Sequence, residues 1–547
     1  MALFDFLDKE RTIANSGFNR WLVPPAALAI HLCIGMAYGF SVFWLPLSKA
    51  VGISSAVACA PDMGFFAQIF SSSCDWQIST LGWMYTLFFV LLGSSAAVFG
   101  GWLEHAGPRK AGVVAALCWA GGLVISAAGV YTHQIVLLWL GSGVIGGIGL
   151  GLGYISPVST LIKWFPDHRG MATGMAIMGF GGGAMIGAPM ANELMKYFAT
   201  PTSVGVWETF LVMAAIYFVF MMAGAFGYRV PPTGWKPAGW TLPLAQAGSE
   251  MITQKHVHVS KVWGIPQFWM IWGVLCLNVT AGIGVIGMAS PLLQEVFAGR
   301  LIGIDAAFNV LTADQKLQIA AIAAGFTGLL SLFNIAGRFI WASFSDYIGR
   351  KATYYVFFTL GFILYVSVPS LGHTGSVALF VVAFSIILSM YGGGFATVPA
   401  YLADMFGTQM VGAIHGRLLT AWATAGVLGP VLVNYIREYQ LSHGVPKALA
   451  YDVTMYIMAG LLLLGLMCNA LVRPIEDKYF MTDEELATER KLAHERDMAQ
   501  SAGGAAIASD VGSGSHPFMI LLAWSAVGIP LAWGIWITLQ KALILFK

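Results

Sequence analysis

The chain has 547 residues, 58% hydrophobic and only 10% charged, with mean hydropathy +0.75. A soluble globular protein carries about 25% charged residues, so the composition excludes that class and points to an all-α polytopic membrane protein. The net charge of +2 says little, because in such a chain the placement of charge matters more than its sum.

A membrane span needs roughly 20 mostly apolar residues. Twelve spans are predicted near 22–47, 79–103, 111–131, 134–161, 170–195, 207–229, 267–297, 317–344, 353–371, 375–402, 413–436 and 451–472. A thirteenth, "PFMILLAWSAVGIPLAWGIWITL", follows a long polar gap. The first apolar run is too long for a cleavable signal and lacks a small-residue cleavage site. The 65 glycines suit close helix packing in lipid, and the 19 tryptophans suit the membrane interface. Lysine and arginine crowd alternate loops, with Lys9, Arg11, Arg109, Lys110, Lys163, Arg169, Arg229, Arg350, Lys351 and Arg473 on one side. By the positive-inside rule that side is cytoplasmic, and so is the N-terminus. The first external loop holds Cys59 and Cys74. It would face an oxidising compartment, so a disulfide is expected there.

The chain divides six and six. Residues 1–229 form one predicted bundle and 266–473 the other, joined by a cytoplasmic loop at 230–265. A polar tail and linker at 474–515 lead to the last helix at 516–547. Within the tail, Thr482 is a predicted helix cap. Each half repeats a motif: "GWLEHAGPRK" after the second span, "ASFSDYIGRK" after the eighth. A fainter pair follows two spans on, "KWFPDHRGMATG" and "DMFGTQMVGAIHG". Matching loops in two six-span halves indicate a transporter built from structural repeats. The glycine runs "GLGLG" and "GFGGG" lie inside apolar helices, so they are not nucleotide-binding loops. No metal-ligand spacing or nucleophile triad is present, and no cofactor is expected.

The doubled motif resembles the major facilitator superfamily, whose loop between helices 2 and 3 reads G-x-L-x-D-x-x-G-R-K. Gly101, Glu104, Gly107, Arg109 and Lys110 fit the first copy, with glutamate in place of the usual aspartate. Asp346, Gly349, Arg350 and Lys351 fit the second. The resemblance implies two six-helix bundles and a gating role for these loops on the cytoplasmic side. More narrowly, "GLGYISPVSTLIKWFPDHRGMATGMAIMGFGGGAMIGAP" and "GMAYGFSVFWLPL" resemble the oxalate/formate antiporter family, related to monocarboxylate carriers. The thirteenth span is similar to short accessory proteins encoded beside some family members.

Arg338 stands out in "FNIAGRFIWASFSDYIGRK". It lies inside the apolar part of the eighth span, where arginine costs at least a few kcal/mol. The resemblance implies that it binds a substrate carboxylate. The chemistry agrees, because a guanidinium can grip a carboxylate through two parallel bonds and does not deprotonate. The alternative is a side chain snorkelling to the interface, about 12 Å away at 1.5 Å per residue. The resemblance also places Tyr38, Tyr154 and Tyr391 around the site.

Three positions depart from the oxalate-exchanging pattern. "LLTAWATAG" puts Trp422 where that pattern has a lysine, Leu419 replaces a tryptophan, and His31 replaces a tyrosine. One fixed positive charge remains, which favours a monocarboxylate over a dicarboxylate. His31 either adds a pH-dependent charge or packs as a neutral ring. Asn334, one turn before Arg338, stands where monocarboxylate carriers have an aspartate. That favours anion exchange or uniport over proton symport. The expectation is a monomeric carrier of small organic carboxylates in the bacterial inner membrane, contacting lipid and no nucleic acid. The rival readings are an oxalate:formate antiporter, a proton-coupled symporter and a non-transporting receptor.

Overall fold

A computed structural model describes residues 5–15, 17–53, 56–60, 63–165, 169–232, 235–237, 251–407, 409–489, 491 and 516–546. Among the described residues, thirteen helices are long and apolar enough to cross a bilayer. They are α1 (Arg20–Leu47), α2 (Thr80–Leu103), α3 (Pro108–Tyr131), α4 (Ile135–Trp164), α5 (Gly174–Phe198) and α6 (Val206–Gly227), then α7 (Pro266–Ile302), α8 (Asp314–Ile348), α9 (Arg350–His373), α10 (Val377–Phe406), α11 (Val411–Ser442) and α12 (Lys447–Leu471), with α13 (Pro517–Phe546) last.

The helix pairings repeat. In the first half α1 packs on α5, α2 on α4 and α3 on α6. Six helices later α7 packs on α11, α8 on α10 and α9 on α12. The halves meet along two seams, α2 against α11 and α5 against α8. The glycine runs explain how closely these helices approach. A Cβ on Gly35 would strike the Phe180 backbone, one on Gly183 would strike Gly35, and one on Gly337 would strike Ser389. These are the small-residue contacts that hold helices together where lipid removes the hydrophobic drive.

The repeated motif has a backbone reason. Gly107 and Gly349 end α2 and α8 with φ of 84° and 86°, a region that L side chains rarely adopt. Pro108, Pro266 and Pro517 begin helices at a position where the missing N–H costs nothing. Two irregularities fall inside the first bundle. α1 tightens to a 3₁₀ helix over Gly35–Phe43, and α4 widens to a π-helix over Trp139–Gly146.

Beyond the spans, Cys59 and Cys74 are joined by a disulfide, with Cα atoms 4.9 Å apart. Asp75 organises the same loop by accepting the N–H groups of Val51 (2.7 Å), Gly52 (3.1 Å) and Val57 (2.8 Å). His133 stacks on Trp76 with ring centres 4.0 Å apart. The crosslink closes a separation of 15 residues, worth up to about 3 kcal/mol in the chain-entropy picture. Replacing both cysteines by serine is expected to lower the thermal midpoint of the detergent-solubilised protein. An unchanged midpoint would show that the loop is held by Asp75 and His133 alone.

Thr482 caps the tail helix as expected. Its hydroxyl accepts the Glu485 N–H at 3.2 Å, and the Glu485 carboxylate accepts the Thr482 N–H at 3.0 Å. Lys255–Asp477 (2.6 Å) and Lys261–Glu485 (3.0 Å) tie this tail to the central loop. Most of the predicted linker and residues 238–250 of the central loop lie outside the described residues.

Candidate functional site

Arg338 is fully buried in α8. Its side chain crosses the α5–α8 seam instead of running along the helix. Nη1 donates to the Ile177 carbonyl of α5 at 2.7 Å, and Nε donates to Asn334 Oδ1 at 3.1 Å. Nη2 has no partner. The guanidinium carbon sits 5.9 Å from the Phe180 ring centre and 5.4 Å from that of Phe395, within cation–π range. This geometry is not that of a side chain reaching for the interface.

The three tyrosines and Trp422 gather round it. The hydroxyls of Tyr38 and Tyr391 lie 2.7 Å apart, joining α1 to α10 across the two halves. Tyr38 also lies within electrostatic reach of Arg338. Trp422 is fully buried, and its ring packs against Phe395 (4.4 Å), Tyr154 (5.1 Å), Phe180 (5.3 Å) and Phe89 (5.6 Å). Among the described residues the Tyr154 hydroxyl and the Trp422 indole N–H are both buried without partners. The result is an aromatic cage around one guanidinium, in which Arg338 Nη2, Trp422 Nε1 and the Tyr154 hydroxyl can each donate a hydrogen bond. Buried donors left unpaired cost about 1–3 kcal/mol each. Such donors call for an acceptor-rich partner, and an anion satisfies them best.

His31 borders the cage but points away from it. Nδ1 lies against the Ala176 carbonyl, and Nε2 is 3.2 Å from the Tyr154 carbonyl. The imidazole thus ties α1 to α4 and α5, and both of its nitrogens are engaged by backbone.

The motif residues lie on the face of the N-terminus. Arg109 donates to the Phe6 carbonyl at 3.1 Å, and Lys110 pairs with Asp8 at 3.2 Å. In the second copy Arg350 bonds Asp346 on α8 and Asp404 on α10, at 2.5 and 3.3 Å. Lys351 donates to the Ala470 and Val472 carbonyls at 3.2 and 2.7 Å. Each of these contacts stays within its own half of the chain. Gly101 is exposed on α2, and the Glu104 side chain lies outside the described residues.

Two groups escaped the sequence reading. Phe180 and Phe395 form walls of the cage. Both stand in glycine clusters, "GFGGG" and "YGGGF", and an aromatic residue in such a run was the available signal. The other is Glu295, buried near the end of α7 remote from the N-terminus. It pairs with Arg437 through both carboxylate oxygens and accepts from the Tyr451 hydroxyl at 2.7 Å. All three residues belong to the second bundle, where the pair pins α7 to α11 and α12.

Among the described residues, Arg338 is a charged side chain fully buried where the two helical bundles meet. Residues 62–430 match the Major Facilitator Superfamily profile, and the chain belongs to that superfamily. It is similar to the oxalate:formate antiporter of Oxalobacter formigenes, with 25% identity over 75% of this chain and 83% of that one. It is also similar to apicoplast pyruvate carrier 1 of Toxoplasma gondii, with 24% identity over 54% of this chain and 58% of that one. Among solved structures, a proton:xylose symporter of the superfamily bound to 6-bromo-6-deoxy-D-glucose shares the fold. It has a TM-score of 0.56 and 15% identity, and the match covers 87% of this chain and 99% of that one. A bacterial homolog of the human lysosomal transporter Spinster gives 0.55 at 13% identity, covering 84% and 98%. Fold and relatives alike are those of multi-pass transporters, not enzymes.

Proposed function

We propose that the protein carries small monocarboxylate anions such as formate, acetate, lactate or pyruvate across the bacterial inner membrane, by alternating access and anion exchange. The observation that carries this reading is the single guanidinium of Arg338, buried at the seam with Nη2 unpartnered and no carboxylate beside it among the described residues. A monoanion neutralises that charge. A dicarboxylate brings a second charge into an apolar cage, which is expensive. The similarity to an antiporter of oxalate and formate and to a pyruvate carrier supports small carboxylates as the class.

Arg338 holds one carboxylate oxygen through Nη2, while Asn334 and the Ile177 carbonyl fix the plane of its fork. Trp422 and Tyr154 offer neutral donors to the rest of the anion, and Phe180 and Phe395 exclude water. Tyr38 and Tyr391 come from opposite halves, so their bond must break or shift as the halves rock. The repeated loop motifs act as the gate. The N-terminus lies in the cytoplasm, because the basic loops share its face.

The deciding experiment is counterflow in proteoliposomes with labelled formate, pyruvate, lactate, acetate and oxalate. Uptake of a monoanion driven by internal unlabelled monoanion supports the reading. Ligand binding without flux would instead favour a receptor. Exchange is favoured over proton symport because Asn334 does not titrate. Asn334→Asp is therefore expected to place a carboxylate on Arg338 that competes with the cargo and cuts uptake at neutral pH about tenfold, in line with the 1.5–3 kcal/mol of a charged hydrogen bond. Lowering the pH should restore uptake in this variant, as the aspartate takes a proton and frees the arginine. Equal uptake by parent and variant across the pH range would count against the role given to Arg338.

A further inference from the structure

The sequence leaves α13 without a task. In the structure it lies against α8, α5 and α1, so it bridges the two halves at one seam. Two of its residues, one helical turn apart and on one face, make the bridge. Gly534 fits against α5 of the first half, where an added Cβ would lie 3.1 Å from Ile186 and 3.2 Å from the Met185 backbone. Thr538 fits against α8 of the second half, 2.7 Å from where a Gly328 Cβ would be. At the other end of α13 the Trp524 indole donates to the Trp21 carbonyl at 3.0 Å. The outer side of the helix, with Ile529 and Trp536, is exposed and suited to lipid.

Behind the Thr538 end of α13, polar side chains of α8 gather among apolar ones. Thr327, Ser331, Asn334 and Arg338 follow each other on α8 at spacings of three and four, which puts them on one stripe. One cleft between α1, α5, α7 and α8 is lined by Asn192, Ser290, Thr327 and Ser331, and Ile537 and Thr538 of α13 line it as well. A second, smaller cavity is lined by Thr327 and Ser331 again, and by Tyr38 and Asn334. Thr327 and Ser331 line both, and with Asn334 and Arg338 they mark one polar track along α8. The track starts on the face opposite the N-terminus.

We propose that α13 is the membrane-side wall of this track and a strap across the α5–α8 seam. Polar side chains at bilayer depth must face protein or water, not acyl chains. Without α13 the cleft would open sideways into lipid. With it, the polar stripe of α8 that leads to Arg338 lies behind a protein wall. The wall does not depend on which anion is carried, although the track's purpose rests on the reading of Arg338.

The test reads exposure, not transport, so it can fail separately from that reading. Cys33, Cys118, Cys276 and Cys468 are replaced by alanine in the full chain, and Ser331→Cys supplies a reporter thiol. Its labelling in liposomes is timed with N-(1-pyrenyl)maleimide, which partitions into lipid, and with a charged, membrane-impermeant maleimide. Gly534→Leu is then added to push α13 off α5. Thr538→Phe, which drives a ring against Gly328, serves as a second full-length variant should the first misfold. The expected result is about tenfold faster labelling by the lipid-soluble reagent, with the charged reagent unchanged. No change with either reagent overturns the wall. A rise with both overturns it too, since the track would then have loosened as a whole instead of opening sideways.

Discussion

Arg338→Lys is expected to lower carboxylate uptake at least a hundredfold while leaving folded protein in the membrane. Lysine keeps the charge and loses the geometry. In the proposed site the fork has three uses at once: Nε bonds Asn334, Nη1 bonds Ile177, and Nη2 is left for the cargo. A lysine ammonium is a compact point charge that cannot hold this planar arrangement. Losing two charge-assisted bonds at about 1.5–3 kcal/mol each corresponds to a factor of about a hundred or more at 1.4 kcal/mol per decade. Lysine can also shed its proton in an apolar site, and arginine cannot. The check is initial uptake of labelled formate and pyruvate into proteoliposomes at matched protein content, beside the thermal midpoint of each variant. Near-normal flux would remove Arg338 from the binding site.

Much of this arrangement was legible in the sequence, because bilayer physics leaves few options. Twenty-residue apolar runs favour helices, and an arginine among them must find partners inside the protein. Span edges shifted by a few residues: the eighth was expected at 317–344 and runs Asp314–Ile348. Polarity marks where a helix meets water, but several of these helices are longer than the roughly 20 residues that cross a bilayer. The 3₁₀ turn that carries Tyr38 was not legible, since Gly35 presses α1 onto the backbone of α5. That is a tertiary effect with no local signature. Nor was the direction of His31. A histidine on an apolar helix reads the same whether its nitrogens face a cavity or backbone carbonyls, and here they face carbonyls. The cage walls Phe180 and Phe395 were hidden in glycine runs that read as packing. The position of α13 was beyond reach, because its Gly534 and Thr538 find their partners only once α5 and α8 lie side by side.

Trp422→Lys is expected to shift preference from monocarboxylate to oxalate. In the parent, Trp422 supplies bulk and one neutral donor. Its ring fills the space between Phe89, Tyr154, Phe180 and Phe395. The exchange changes both. A lysine is slimmer than the indole, so the cage gains room for a second carboxylate, at a stability cost that approaches the roughly 3–5 kcal/mol of emptying a large aromatic site. The ammonium also adds a second positive charge facing Arg338 across the cage. A dicarboxylate then pairs both ends, and each pairing offsets the desolvation of a buried ion. A monoanion pairs only one end and leaves the new ammonium uncompensated unless it gives up its proton. The measurement is competition of unlabelled oxalate against labelled formate, parent and variant side by side. Oxalate should compete weakly in the parent and strongly in the variant, with formate uptake reduced about tenfold in the variant, the size of one lost charge pairing at 1.4 kcal/mol per decade. If oxalate already competes strongly in the parent, the site finds a second charge without residue 422. Both nitrogens of His31 are engaged by carbonyls, so that charge would require the imidazole to turn from the backbone toward the cage.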